Sequence, residues 1–186
     1  IGSKFLHAGP GFGGSCFPKD VKAFISTAKK FDVDLSIIDS VNLSNQERPQ
    51  KIISKILKQF DNNIEDKIFS ILGLSFKPNT DDVRDSTSII IAEHLYKKGA
   101  VVKAYDPKAM KNAKEVLPNI HYSNSIGESC IGVDAIIIAT EWNEFRALNF
   151  KLLKEQMKDC IIFDLRNIYN KNELTILGFV YHGIGK

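Results

Sequence analysis

The chain has 186 residues, 44% of them hydrophobic and 25% charged, with a formal net charge of +3. This is globular composition, and so small a charge excludes a strong general affinity for nucleic acid or an anionic membrane, while leaving room for a local basic site for a phosphorylated ligand. Three cysteines without regular spacing build no disulfide framework and point to a reducing, cytoplasmic setting. No apolar run approaches the ~18 residues of a membrane span, no segment reads as a signal peptide, and no metal-ligand set is read.

The chain opens at Ile1 and reaches the stretch GPGFGGSCFPKD, residues 9–20, almost at once, an opening that reads as the C-terminal piece of something longer. Pro18 suits a first helical position and Asp20 a first turn, so a helix is predicted over about 18–30, with Val21, Phe24, Ile25 and Ala28 as its buried stripe. A longer helical pattern runs from Ser36 to Phe60, with Ile52, Ile53, Ile56, Leu57 and Phe60 on one side. Pro49 lies inside it and predicts a kink or break there. The polar run Asp61 to Asp66 reads as a boundary.

From Lys67 the texture becomes alternation. KIFSILGLSF is a buried strand entering the loop KPNTDDVRDS, and STSIIIAEHLYKKGA is a helix terminated at Gly99. VVKAYDP is a strand ending at Asp106, and KAMKNAKEVLP a helix stopped by Pro118. A short strand IHYS, a short helix SIGESCIGV, the buried strand DAIIIAT, the helix FKLLKEQMK, the strand CIIFDLRN and a last strand in LGFVYHGIG follow. Apolar strands alternating with helices predict an α/β fold: a doubly wound parallel sheet, preceded by a helical segment, with the boundary near residues 62–63. Ligands of such sheets bind beyond the carboxyl ends of the strands, where Lys77–Arg84, Thr140–Arg146 and Asp164–Asn167 are polar.

Two readings compete for the opening loop. Gly9, Gly11 and Gly14 spell a dinucleotide fingerprint, but IGSKFLHA is a poor strand, Pro18 delays the helix, and no second strand precedes Asp32 or Asp34. Alternatively the glycines surround a reactive thiol: Cys16 stands just before a helix N-terminus with Lys19 nearby, surroundings that favour the nucleophilic form of a thiol. Asp20 follows about one turn later, within reach of a water or proton. Cys130 and Cys160 read as small buried hydrophobes.

These residues carry a resemblance. GPGFGGSCFPKD resembles the catalytic-cysteine motif of the UDP-glucose/GDP-mannose dehydrogenase family, and ILGLSFKPNTDDVRDS, IATEWNEFR and IIFDLRNIY resemble its later signatures in order. The resemblance implies a remnant of the family's central domain over 1–62 and a Rossmann-like nucleotide-sugar domain over 63–186, with an NAD-binding domain preceding both. It implies NAD-dependent two-step oxidation of the C6 alcohol of UDP-glucose to UDP-glucuronate through a Cys16 thiohemiacetal and thioester, with Asp20 assisting hydrolysis. The same chemistry on GDP-mannose or a UDP-N-acetylhexosamine, and a non-catalytic nucleotide-sugar-binding module, are the alternatives. By the same resemblance Phe5, Leu6, His7, Ala8, Gly9, Gly13, Phe76, Lys77 and Arg166 contact the sugar nucleotide, although position 7 varies among relatives. Lys19 and Arg84 would meet NAD, and the whole enzyme would be a homodimer. Leu165 departs from the glycine usual in the fourth motif, and Trp142 is expected to pack rather than react.

Overall fold

The computed structural model describes residues 2–185, with the side chains of Lys4 and Phe5 excepted. Two helices lead. After a 3-10 turn at Ser3–Leu6, helix α1 spans Phe17–Lys30 and α2 spans Ser36–Gln59. The segment before the glycines is thus not a strand, and the dinucleotide fingerprint lacks the element that would aim it. In α1, Ile25 and Ala28 are buried as expected, but Phe24 is 55% exposed, so the predicted stripe is narrower than the sequence suggested. The apolar spacing marks a face that the described residues cover only in part.

Helix α2 runs through Pro49 without a break, contrary to expectation. Proline removes a single backbone donor, the one that would reach the carbonyl of Asn45. Pro49 is itself buried, and Ile52, Ile53 and Ile56 anchor the next turns in the core, at 5%, 1% and 0% exposure. That packing outweighs one lost hydrogen bond.

The remainder is a six-stranded, wholly parallel sheet: β1 Ile68–Leu72, β2 Val101–Tyr105, β3 His121–Tyr122, β4 Ala135–Ile138, β5 Ile161–Asp164 and β6 Val180–Gly183. Their spatial order is β3-β2-β1-β4-β5-β6, the doubly wound arrangement in which chain direction across the sheet reverses between β1 and β4. Helices α3 (Thr87–Lys97), α4 (Met110–Val116), α5 (Ile126–Cys130), α6 (Phe150–Gln156) and α7 (Lys171–Ile176) cover the faces. Alternation along β4 feeds both layers: Ala135 and Ile137 join Ile53, Ile56, Phe69 and Leu95 on one side, Ile136 and Ile138 join Phe145, Leu153 and Ile162 on the other. The C-terminal half of α2 therefore belongs to the same core as the sheet. It is tied to the edge strand as well, by Lys55 Nζ donating to the Gly183 carbonyl at 2.8 Å and by a 2.7 Å hydrogen bond between His182 Nε2 and Gln59 Oε1. Helix α7 was not expected from the sequence: six residues capped by Asn170, too short to display a period.

Candidate functional site

Three carboxyl ends meet at the switch point. Gly73 leaves β1 at φ +96, where a Cβ would stand 2.4 Å from Thr140 Cβ, so β1 and β4 end in direct contact. Thr140 Oγ1 donates to the Ser75 carbonyl at 2.6 Å. From beyond β5, Arg166 Nε donates to the Ala139 carbonyl at 2.8 Å and Nη2 to the Phe76 carbonyl at 3.1 Å. The convergence expected of the three polar loops is present.

Arg166 is mostly buried, its side chain 14% exposed. Burial pushes its guanidinium below the ordinary arginine range, and the Glu141 carboxylate opposes that shift. Glu141 Oε2 lies 3.1 Å from Nε yet accepts no hydrogen bond, because that N–H is aimed at Ala139. The pair is held by charge alone. Behind it, Asp164 accepts from the Arg166 and Tyr169 N–H groups and from the Tyr181 hydroxyl at 2.9–3.0 Å; burial raises this carboxyl and those donors oppose the rise. Leu165 is buried at 3% and takes no left-handed conformation; Asn167, at φ 50, does so two residues on.

Asp106, at the end of β2, occupies the place where a dinucleotide-binding sheet presents an acid to a ribose. Here it is 1% exposed and its oxygens are consumed. Oδ2 accepts from Leu74 N, Ser75 N, Ser75 Oγ and Trp142 Nε1; Oδ1 accepts from Lys108 N and Ala109 N. The carboxylate serves to hold the loop carrying Phe76 and Lys77. Trp142, 6% exposed, packs as expected.

The glycine loop lies across this crevice and answers why so many glycines are needed. A Cβ on Gly13 would sit 2.4 Å from the Asp85 carbonyl oxygen, and one on Gly14, at φ +82, would strike the Phe76 ring at 2.7 Å. Gly9 passes under Arg166, whose Nη1 would be 3.0 Å from a Cβ there. Gly14 N donates to the Arg84 carbonyl at 2.8 Å. These glycines permit close approach of backbone to protein. The loop delivers Cys16 to the N-cap of α1, exposed, with its carbonyl accepting from Asp20 N at 2.8 Å and Ser15 Oγ 3.6 Å from its sulfur. Cys130 is fully buried, and burial pushes its thiol up to about 11; Cys160 is half-buried.

Of the expected contact residues, Gly9, Gly13, Phe76 and Arg166 come together at the switch point, with Cys16 two residues past the Gly14–Phe76 contact. Lys77 is exposed beyond β1, its Nζ 5.2 Å over the Phe76 ring. Leu6, His7 and Ala8 are exposed, and the side chain of Phe5 lies outside the described residues. Lys19 pairs with Asp20 at 3.5 Å, and Arg84 is gripped by Asp82 at 2.9 and 2.7 Å, which holds that carboxyl below its usual range. Asp106, Glu141 and Asn45 were missed as organising residues by sequence reasoning.

Residues 70–171 match the UDP-glucose/GDP-mannose dehydrogenase family, UDP binding domain, and residues 1–47 that family's central domain. The chain belongs to this family. It is 44% identical over 186 residues to a UDP-glucose 6-dehydrogenase of Rhizobium meliloti, covering all of this chain and 43% of that protein. The UDP-glucose 6-dehydrogenase YwqF of Bacillus subtilis is 39% identical over 187 residues, with 42% of its length covered. Among solved structures, a UDP-glucose dehydrogenase of Pyrobaculum islandicum superposes with a TM-score of 0.85 at 32% identity, over 99% of this chain and 40% of that one. The chain therefore spans about two-fifths of the length of the relatives it matches. Among the described residues no helix is long and apolar enough to cross a membrane, and no cluster of three or more His, Cys, Asp or Glu side chains is placed to hold a metal ion.

Proposed function

We propose that this chain supplies the nucleophile and the nucleotide-sugar domain of an NAD-dependent UDP-glucose 6-dehydrogenase. The observation that carries the reading is the delivery of an exposed Cys16 to a helix mouth by a loop packed on Phe76, Asp85 and Arg84 of the first switch-point loop. Phe76, Lys77 and Arg166 would hold the diphosphate and sugar, Arg166 as a directed donor on a carbonyl-fixed guanidinium and Lys77 as a point charge.

The oxidations need a hydride acceptor, named by family resemblance as NAD. The described residues do not by themselves fit a dinucleotide: no strand precedes the glycines, and Asp106 has no oxygen to spare for a ribose. Lys19 and Arg84 offer two exposed cations on the rim, each already paired with a neighbouring carboxylate. The steps that belong to this chain are covalent and hydrolytic. The Cys16 sulfur adds to the C6 aldehyde to give a thiohemiacetal, retaining the reactive intermediate between oxidations. After the thioester forms, water attacks its carbonyl carbon, the C–S bond breaks to release the Cys16 thiolate, and the carboxylate of Asp20, four residues after Cys16 and hydrogen-bonded through its N–H to the Cys16 carbonyl, would accept the proton of the attacking water. The product is UDP-glucuronate.

Cys16→Ser in the full-length polypeptide tests this. Such an enzyme should stop after one oxidation, whereas undiminished production of uronate would refute the role of Cys16. The 186-residue chain alone should generate no NADH from UDP-glucose and NAD. Turnover with a UDP-N-acetylhexosamine but not with UDP-glucose would move the substrate assignment within the family.

A further inference from the structure

We infer that Asn45, on α2, is a positioning residue for the thiol loop. The inference rests on the reading of Cys16 as nucleophile. Asn45 makes a two-point clamp on the backbone of one residue, gripping the peptide groups on either side of its Cα: Phe12 N donates to its Oδ1 at 2.9 Å, and its Nδ2 donates to the Phe12 carbonyl at 3.0 Å. The loop is shaped to receive it. Gly11 adopts φ +133, and a Cβ there would stand 2.8 Å from Asn45 Oδ1 and 3.4 Å from Thr87 Oγ1. Thr87, first residue of α3, also donates to the Pro10 carbonyl at 3.4 Å. The Phe12 ring then meets Phe17 edge to face, centroids 4.6 Å apart, so the clamped residue and the first residue of α1 brace the chain on both sides of Cys16.

The clamp sits where α2 is otherwise least committed to the core. Its buried residues begin only at Pro49, while Ile37, Val41 and Leu43 are exposed at 77%, 44% and 56%. Asn45 is also the residue whose carbonyl Pro49 cannot serve with a backbone N–H. An asparagine in mid-helix is disfavoured by propensity, and here it has a task that a better helix former could not perform.

The test uses the 186-residue chain. Exchange of the Phe12 amide is followed by hydrogen–deuterium exchange, and alkylation of Cys16 by iodoacetamide is measured by peptide mass spectrometry in the folded chain and in denaturant, with Cys130 as a protected control. A thiol held at a helix mouth should react faster folded than unfolded. Asn45→Ala should remove protection at Phe12 and bring the folded-to-unfolded rate ratio of Cys16 at least threefold closer to one, with α2 still helical by circular dichroism. Asn45→Asp keeps the acceptor for Phe12 N but sets a carboxylate oxygen against the Phe12 carbonyl, and should fall between; it carries the test if Asn45→Ala does not fold. An unchanged Cys16 ratio, or a Phe12 amide still protected in Asn45→Ala, would overturn the positioning role and leave the nucleophile intact. A wild-type ratio of one or less would overturn both.

Discussion

Replacing Asp106 by asparagine changes no volume and reverses the sense of one oxygen. Six donors converge on the native carboxylate, four on Oδ2 and two on Oδ1. An amide must turn its NH2 toward one set, so at least two hydrogen bonds become donor-to-donor contacts in a region 1% exposed. Hydrogen bonds to a charged group contribute about 1.5–3 kcal/mol each, which puts the loss at roughly 3–6 kcal/mol. At about 2–4 °C per kcal/mol for a chain of this size, the midpoint of thermal unfolding should fall by on the order of 12 °C. Circular dichroism measures that shift. Trp142 is the chain's single tryptophan and its indole N–H is one of the six donors, so fluorescence reports the same event locally. Its emission should move to longer wavelength below the transition as water replaces the carboxylate. A midpoint within ~2 °C of wild type, with unchanged emission, would refute the hub.

Gly13→Ala places a methyl 2.4 Å from the Asp85 carbonyl oxygen and should destabilise by about 1–3 kcal/mol, whereas Gly127→Ala, inside α5 with nothing within 4 Å, should stabilise by about 0.5–1 kcal/mol; denaturant melts of the two compare them directly. His182, stacked on Phe163, is held below its usual range by burial and then by Lys55 and Lys171. Its unfolded form therefore takes up a proton at higher pH than its folded form, and stability should fall as pH drops from about 6.5 through the lower folded value. His182→Gln should flatten that part of a stability–pH curve, and an unaltered slope would exclude His182 as its source. Arg166→Lys cannot reproduce two directed bonds to the Ala139 and Phe76 carbonyls, and should weaken UDP binding at least about tenfold by calorimetry. Unchanged affinity would remove Arg166 from the site.

Most of the fold was legible because strand and helix periods are local properties. β4 is a continuous apolar run, β1 is broken only by Ser70 and β5 is apolar up to Asp164, and Gly99 and Pro118 mark ends by backbone chemistry alone. The thiol loop was legible for the same reason, since glycines, a cysteine and a proline at a helix start are neighbours in the chain. Whether Pro49 breaks α2 was a contest between one absent hydrogen bond and the burial of Ile52, Ile53 and Ile56, and burial depends on what lies opposite. Phe24 kept a helical period and yet stayed exposed, again because a period says which residues share a face and nothing about what covers it. Glu141 and Asn45 act through partners 25 and 33 residues away in sequence, and Asp106 Oδ2 gathers donors 31 to 36 residues away while only Oδ1 caps its own turn, so no local pattern could assign these roles. The sequence by itself determined the longer elements, the parallel class of the sheet and which residue types the loop carries. Only the tertiary structure decided which groups remain available to a ligand, because a hydrogen bond already made inside the protein is invisible until both partners are placed.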